Sequence, residues 1–251
     1  MYRDIHMDMY RDIIKELKKY ANPEKAKILQ GFFKTGKGQY GEGDIFLGIV
    51  VPNQRLVAKK FIDADLESLK KLLDSKIHEH RLTAVLILTY QFPKADKKLQ
   101  KKIYNFYLKN AKQINNWDLV DLSAPNIVGE YLQSLVCHSE SERRISRKIL
   151  YKLVKSKNLW ERRISILATF TFLRNGDFTD TLKIAEILLK DEHDLIHKAV
   201  GWMLREVGKR DQSVEEKFLK KHYQKMPRTM LRYAIERFEE GLRQKYLKGQ
   251  I

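Results

Sequence analysis

The chain has 251 residues, with 43% hydrophobic and 32% charged residues. That balance describes a folded chain with ample core and excludes a disordered one. The formal net charge of +17 suggests a polyanionic partner, most simply nucleic acid.

Other broad classes fall away on simple grounds. The apolar runs are short, as in LTAVLILTY, so no membrane span or membrane partner is expected. The N-terminus, MYRDIHMDMYRDIIKELKKY, is charged throughout and lacks an apolar signal core, so an intracellular location in cytoplasm or nucleoid is expected. The single cysteine, Cys137, excludes an internal disulfide and a cysteine-based zinc site, and reads as a buried structural thiol.

Helical periodicity runs from the start. IIKELKKYANPEKAKILQGFF predicts two helices with a turn at Asn22-Pro23. Residues 31–52, GFFKTGKGQYGEGDIFLGIVVP, break the rhythm with clustered glycines and read as one long ordered loop. Within it, Gly36 to Gly41 match G-x-G-x-x-G, but no strand precedes them and no βαβ unit surrounds them. A nucleotide cofactor is therefore not expected, and Lys34, Lys37 and Tyr40 read as a basic loop for nucleic acid. VPNQRLVAKKF then opens a helix with Pro52 in its first turn.

Helical pairs follow: LESLKKLLDS with HEHRLTAVLILTYQF, KKLQKKIYNFYLKNA with NWDLVDLSAPNIVGEYLQSLV, and SERRISRKILYKLV with NLWERRISILATFTFL. DTLKIAEILLK pairs with LIHKAVGWMLREVGK, and VEEKFLKKHYQK with RTMLRYAIERFEEGLRQKYL. Comparable helices recur every roughly 35–45 residues, the range of HEAT-like repeats. The expected fold is all-α: a right-handed α-α solenoid of HEAT-like repeats forming a single domain over 1–251, with a concave basic face that binds DNA.

Four places carry candidate chemistry. In NNWDLVDLSAPNIVG, Trp117 and Asp121 are four apart and share a helix face, while Asp118 points elsewhere and suits the first turn. Asn115 or Asn116 suits the N-cap. Asp121 either faces solvent or serves a site. In NLWERRISILATF, Trp160, Arg162 and Arg163 open a helix, either as a solvated basic end or as forked donors for phosphate oxygens. In KAVGWMLREVGK, Gly201 marks a close approach, and Trp202 and Arg205 share a face that either packs or binds. The histidines form no metal pattern, so no metal is expected; of them, His193 and His197 are spaced to share a face, while His78 and His80 are not.

Together these segments resemble the DNA alkylation repair family, the AlkD-like HEAT-repeat alkylpurine DNA glycosylases. The resemblance rests on FFKTGKGQYGEGDIFLGIVVPNQR, NNWDLVDLSAPNIVGEYL, NLWERRISIL, KAVGWMLREVGK and MPRTMLRYAIERF, in that order. It implies hydrolysis of the N-glycosidic bond of N3- or N7-alkylated purines in duplex DNA, leaving an abasic site, as a step of base excision repair. By position it implies that Asp121 is catalytic and that Trp117 and Trp202 bind the lesion. It further implies that Arg163 contacts the DNA backbone; from their charge and placement, Arg162, Lys37 and Arg205 are expected as further backbone contacts. No lysine Schiff base is implied, hence no strand cleavage. No cofactor is expected, and a DNA-cradling solenoid is expected to act as a monomer. Two departures stand out. Asn116-Trp117 replaces a Trp-Trp pair, and Asp194-Leu195 replaces an aromatic pair. Two other readings stay open: a non-catalytic HEAT-repeat protein that recognises distorted duplex, and a HEAT scaffold for an acidic partner.

Overall fold

The computed structural model describes residues 9–135 and 146–251. Cys137 lies outside these. The described residues are helical and hold no β-strand, only an isolated parallel bridge between Ile45 and Ile77. No helix among them is long and apolar enough to cross a membrane. The chain divides into two compact units, Met1–Ser123 and Ala124–Ile251, where the sequence reading expects one domain.

The first unit contains α1 (Met9–Lys18), α2 (Pro23–Phe32), α3 (Val51–Lys60), α4 (Leu66–Leu73), α5 (His78–Gln91), α6 (Lys97–Lys109) and α7 (Trp117–Ser123). The turn expected at Asn22-Pro23 is present. Asn22 caps α2 by accepting from the Lys25 N–H at 3.0 Å, and Pro23 takes the first helical position, where no N–H is needed. Helix α5 is the centre of this unit. Its run TAVLIL leaves no polar face, and every residue from His78 to Leu88 is buried, against α3, α4 and α7.

The expected loop is shorter than 31–52, because Gly31 and Phe32 finish α2 and Val51 starts α3. It is tied down by one carboxylate. Glu79, fully buried, accepts from the backbone N–H groups of Leu47 (2.9 Å), Gly48 (2.8 Å) and Ile49 (3.2 Å). Gly48 has φ +78, and a Cβ there would stand 2.0 Å from the Asn22 carbonyl oxygen. Only glycine lets the loop pass the start of α2 so closely.

The second unit begins with a π-helical turn, Ala124–Gly129, followed by α8 (Glu130–Ser134). The sequence reading runs one helix through this region. Pro125 has no N–H for the helical ladder and disfavours helical geometry at the residue before it, which accounts for the irregular winding. There follow α9 (Lys148–Leu153), α10 (Leu159–Leu167), α11 (Phe170–Arg174), α12 (Thr179–Leu188), α13 (Asp194–Gly208), α14 (Gln212–His222), α15 (Arg228–Ala234) and α16 (Glu240–Lys248). The stretch RTMLRYAIERFEEGLRQKYL is also divided. A 3-10 turn at Ile235–Arg237 leads to Glu239, whose side chain caps a fresh helix by accepting from Gly241 and Leu242. Helix α13 is the centre of this unit, packed against α10, α11, α12, α14 and α15. Gly201 makes the expected close approach: a Cβ there would lie 2.5 Å from the Met230 carbonyl oxygen and from the Tyr233 Cβ.

Candidate active site

Helix α7 is short, so its start matters. The Asn116 carbonyl accepts from the Val120 N–H at 3.1 Å and its side chain accepts from the Trp117 N–H at 2.8 Å. Leu119 and Val120 turn into the core, leaving Trp117 and Asp121 half-buried on the other side. Asp118, in the first turn, is committed to a neighbour: it accepts from the His78 Nε2 at 2.8 Å.

That bond belongs to a buried chain of charge. The other His78 ring nitrogen, Nδ1, faces Asp44 at 3.4 Å, and Asp44 accepts from Arg81 at 2.6 Å. Burial alone would lower the imidazole, but Asp118, with Asp44, outweighs it and raises His78 to about 9. Two residues on, His80 lacks such partners, and burial lowers it to about 4. These two histidines thus have separate surroundings, as their spacing predicts. In the second unit His193 caps α13 through Nδ1, and His197 bonds the Asp191 carbonyl.

Aromatic rings stack outward from this chain. Phe46 stacks on His78 with centroids 4.6 Å apart, Phe33 on Phe46 at 5.1 Å, and Trp117 on Phe33 at 5.3 Å. The Trp117 indole N–H donates to the Tyr40 hydroxyl at 3.2 Å. Indole and loop therefore fix each other's position. Trp117, Asp121, Phe32, Phe33, Ile28 and Val51 border a pocket of about 630 Å³ within the first unit. Its walls are mostly apolar, with Asp118, Asp121, His78 and Glu79 as the ionisable groups besides Lys25. The arrangement can hold a flat, apolar-faced group beside an indole and offer it a carboxylate.

The remaining sequence-predicted residues are distributed as follows. Lys37 lies exposed on the loop. In the second unit, Arg162 and Arg163 do not form an open basic end. Arg162 pairs with Asp191 at 2.6 Å and donates to the carbonyls of Ser156 and Lys157. Arg163 is only 4% exposed and donates to the Leu195 carbonyl. Trp160 is buried core. Arg205 pairs with Glu236, while Trp202 is half-buried and tilts against Phe170 at 5.9 Å. Phe170 also carries the Arg174 guanidinium 4.7 Å from its centroid.

The partners of Trp117 and Asp118 carry no signal in the sequence. Asp44, His78, Glu79 and the Tyr40–Trp117 bond join positions far apart in the chain, and no short spacing signals them.

Known proteins set this geometry in context. The family model described as DNA alkylation repair enzyme matches residues 13–238. No curated protein matches the chain. Among solved structures, a predicted DNA alkylation repair enzyme from Enterococcus faecalis is similar, with TM-score 0.66 and 16% identity, covering 88% of this chain and 97% of that one. AlkD2 from Streptococcus mutans is similar with TM-score 0.56 and 15% identity, covering 92% and 98%. The protein smu.31 from Streptococcus mutans UA159 follows with TM-score 0.53 and 16% identity, covering 90% and 96%. At such identities the structures establish a shared all-α helical-repeat fold, and the match over residues 13–238 establishes the rest: this chain belongs to the DNA alkylation repair enzyme family.

Proposed function

We propose that the protein is a monofunctional DNA glycosylase that releases N3- and N7-alkylated purines from duplex DNA. The observation that carries this reading is Asp121 on the border of a mostly apolar pocket, one helical turn from an indole held by Tyr40 and Phe33.

The chemistry fits those groups. Alkylation at N3 or N7 makes the purine cationic, so the glycosidic electron pair leaves with the base and the base departs neutral. Little acid catalysis is needed. The developing positive charge lies on the deoxyribose, where the Asp121 carboxylate stabilises it and orients the water that adds to C1′, taking up that water's proton. The face of an indole attracts the cationic base, by about 0.5–2 kcal/mol depending on desolvation. Trp117 serves this role in the first unit, and family resemblance gives Trp202 a matching role in the second.

Lys37 offers an exposed ammonium to backbone phosphates. Arg162, Arg163 and Arg205 already have protein acceptors, so contact with DNA means exchanging those for phosphate oxygens, and Arg163 is the most deeply committed. The direct test is metal-free incubation with duplexes carrying N7-methylguanine or N3-methyladenine, followed by chromatography of the released base. Free methylated base with an intact sugar-phosphate strand supports the proposal. Duplex binding without release favours a non-catalytic DNA binder instead.

A further inference from the structure

The sequence from Lys94 to Lys112 holds seven lysines and a single acid, Asp96. Asp96 is occupied as the cap of α6, accepting from the Leu99 N–H at 2.7 Å. Lys97, Lys98, Lys101, Lys102 and Lys109 of α6 are all exposed, and none has an ion-pair partner among the described residues. Elsewhere in the same unit lysines do pair: Lys60 with Glu16, Lys70 with Asp74, Lys71 with Glu67.

This placement works against the helix. Lys97 and Lys98 occupy its first turn, next to the positive end of the helix dipole. Lys97 with Lys101, and Lys98 with Lys102, are like charges four apart, which destabilises a helix. An anionic partner reverses both penalties.

The direction of this face is fixed by what α6 buries. Ile103, Tyr104 and Tyr107 are its buried residues, and the Tyr107 hydroxyl is 2.8 Å from the Ser123 hydroxyl of α7. At 100° per residue the five lysines centre about 150° around the helix from those three. The lysine face therefore looks away from α7, the helix that carries Trp117 and Asp121.

We infer that the lysine face of α6 is a second nucleic-acid contact, binding the phosphates of a duplex segment other than the one presented to Asp121. Consecutive lysines on one side, Lys97 and Lys101 or Lys98 and Lys102, are about 6 Å apart along the axis, which suits successive phosphates of one strand. Among its exposed residues only Leu99 is large and apolar, so the face lacks the buried anchors of a protein interface and the apolar side of a membrane-lying helix. Its function is to hold a neighbouring segment, so that the protein passes between segments without dissolving into solution. The inference rests on duplex DNA as the partner and requires no base release.

The test is bridging. Beads carrying one undamaged duplex are mixed with the protein and a fluorescent second duplex, and retained fluorescence is read. Wild type retains the second duplex. Replacing Lys97, Lys98, Lys101, Lys102 and Lys109 by Gln lowers retention at least about 5-fold and reduces the salt dependence of retention. The corresponding five Lys→Arg changes keep retention, because they keep the charge. Base release from a short damaged duplex stays within about 2-fold of wild type in both variants. Undiminished bridging by the folded Gln variant overturns the inference. So does a wild-type protein that binds one duplex but retains no second, or that retains RNA or phosphatidylserine vesicles and not DNA. A protein that binds no duplex at all contradicts the proposed function as well, which separates the two failures.

Discussion

Asp118 and His78 form a part-buried bond of 2.8 Å that fastens the helix of Trp117 and Asp121 to the central helix of its unit. The carboxylate one turn away, Asp121, borders the pocket together with Asp118. Two acids three residues apart thus have different surroundings, one chiefly positioning and the other proposed for the chemistry.

Changing Asp118 to Asn removes the charge that most raises His78. Loss of about 2 kcal/mol of stability is expected, as for a charge-assisted hydrogen bond with a largely buried partner. The same pair sets a pH dependence. Between 6.5 and about 9 the folded protein holds the His78 proton and the unfolded chain does not. The contribution is therefore complete below 6.5 and lost as pH rises through about 9. Denaturant melts of wild type and Asp118→Asn at pH 6, 7.5 and 9 check this: their difference should shrink as pH rises, and a constant difference refutes the assignment.

Glu215 gives a second alkaline effect, in the other unit. It is 1% exposed, its Oε1 lacks a hydrogen-bond partner, and burial, with Glu216 nearby, raises it to about 9. The folded state again keeps a proton that the unfolded chain loses above its ordinary 4.5, so stability declines with rising pH up to about 9. Glu215→Gln removes the titration. At pH 8.5 the variant should be more stable than wild type by at least about 1 kcal/mol, with the advantage fading toward pH 4.5. Thermal melts across that range decide it.

Gly201→Ala tests the close approach of α13 and α15. Its new methyl would fall 2.5 Å from both a carbonyl oxygen and a Cβ, so the two helices must shift. A destabilisation of about 1–3 kcal/mol is expected, as for overpacked cores. A neutral result in chemical denaturation would falsify that packing.

Glu79→Gln tests the anchoring of the loop that carries Tyr40. A neutral amide accepts the three N–H bonds from Leu47, Gly48 and Ile49 more weakly and adds donors with no acceptor in that nest. Stability should fall by about 2–3 kcal/mol, and limited proteolysis between residues 33 and 50 should accelerate. Unchanged cleavage means that other bonds hold the loop.

How much of this was legible in the sequence differs from feature to feature. The helices were legible because their apolar residues recur with helical period, and because Asn22-Pro23 and Pro52 mark starts that need no context. Gly201 was legible because glycine inside an amphipathic helix is costly without a close neighbour. Trp117 and Asp121 shared a face by spacing alone. The protein partners of Arg162 and Arg163 were not legible, because a guanidinium reads the same in sequence whether it meets solvent, a phosphate or, like Arg163, a buried carbonyl. The anchored loop was hidden because its fastener, Glu79, lies on another element about thirty residues away.

The central claim stands or falls with Asp121→Asn. Release of N7-methylguanine and N3-methyladenine from duplex DNA should be measured under single-turnover conditions for wild type and variant, alongside duplex affinity and a melt. The account predicts loss of release by about 10²–10³-fold, as when an electrostatic stabiliser of the transition state is removed, with duplex binding and fold retained. Equal release by both proteins would contradict it and remove Asp121 from the chemistry.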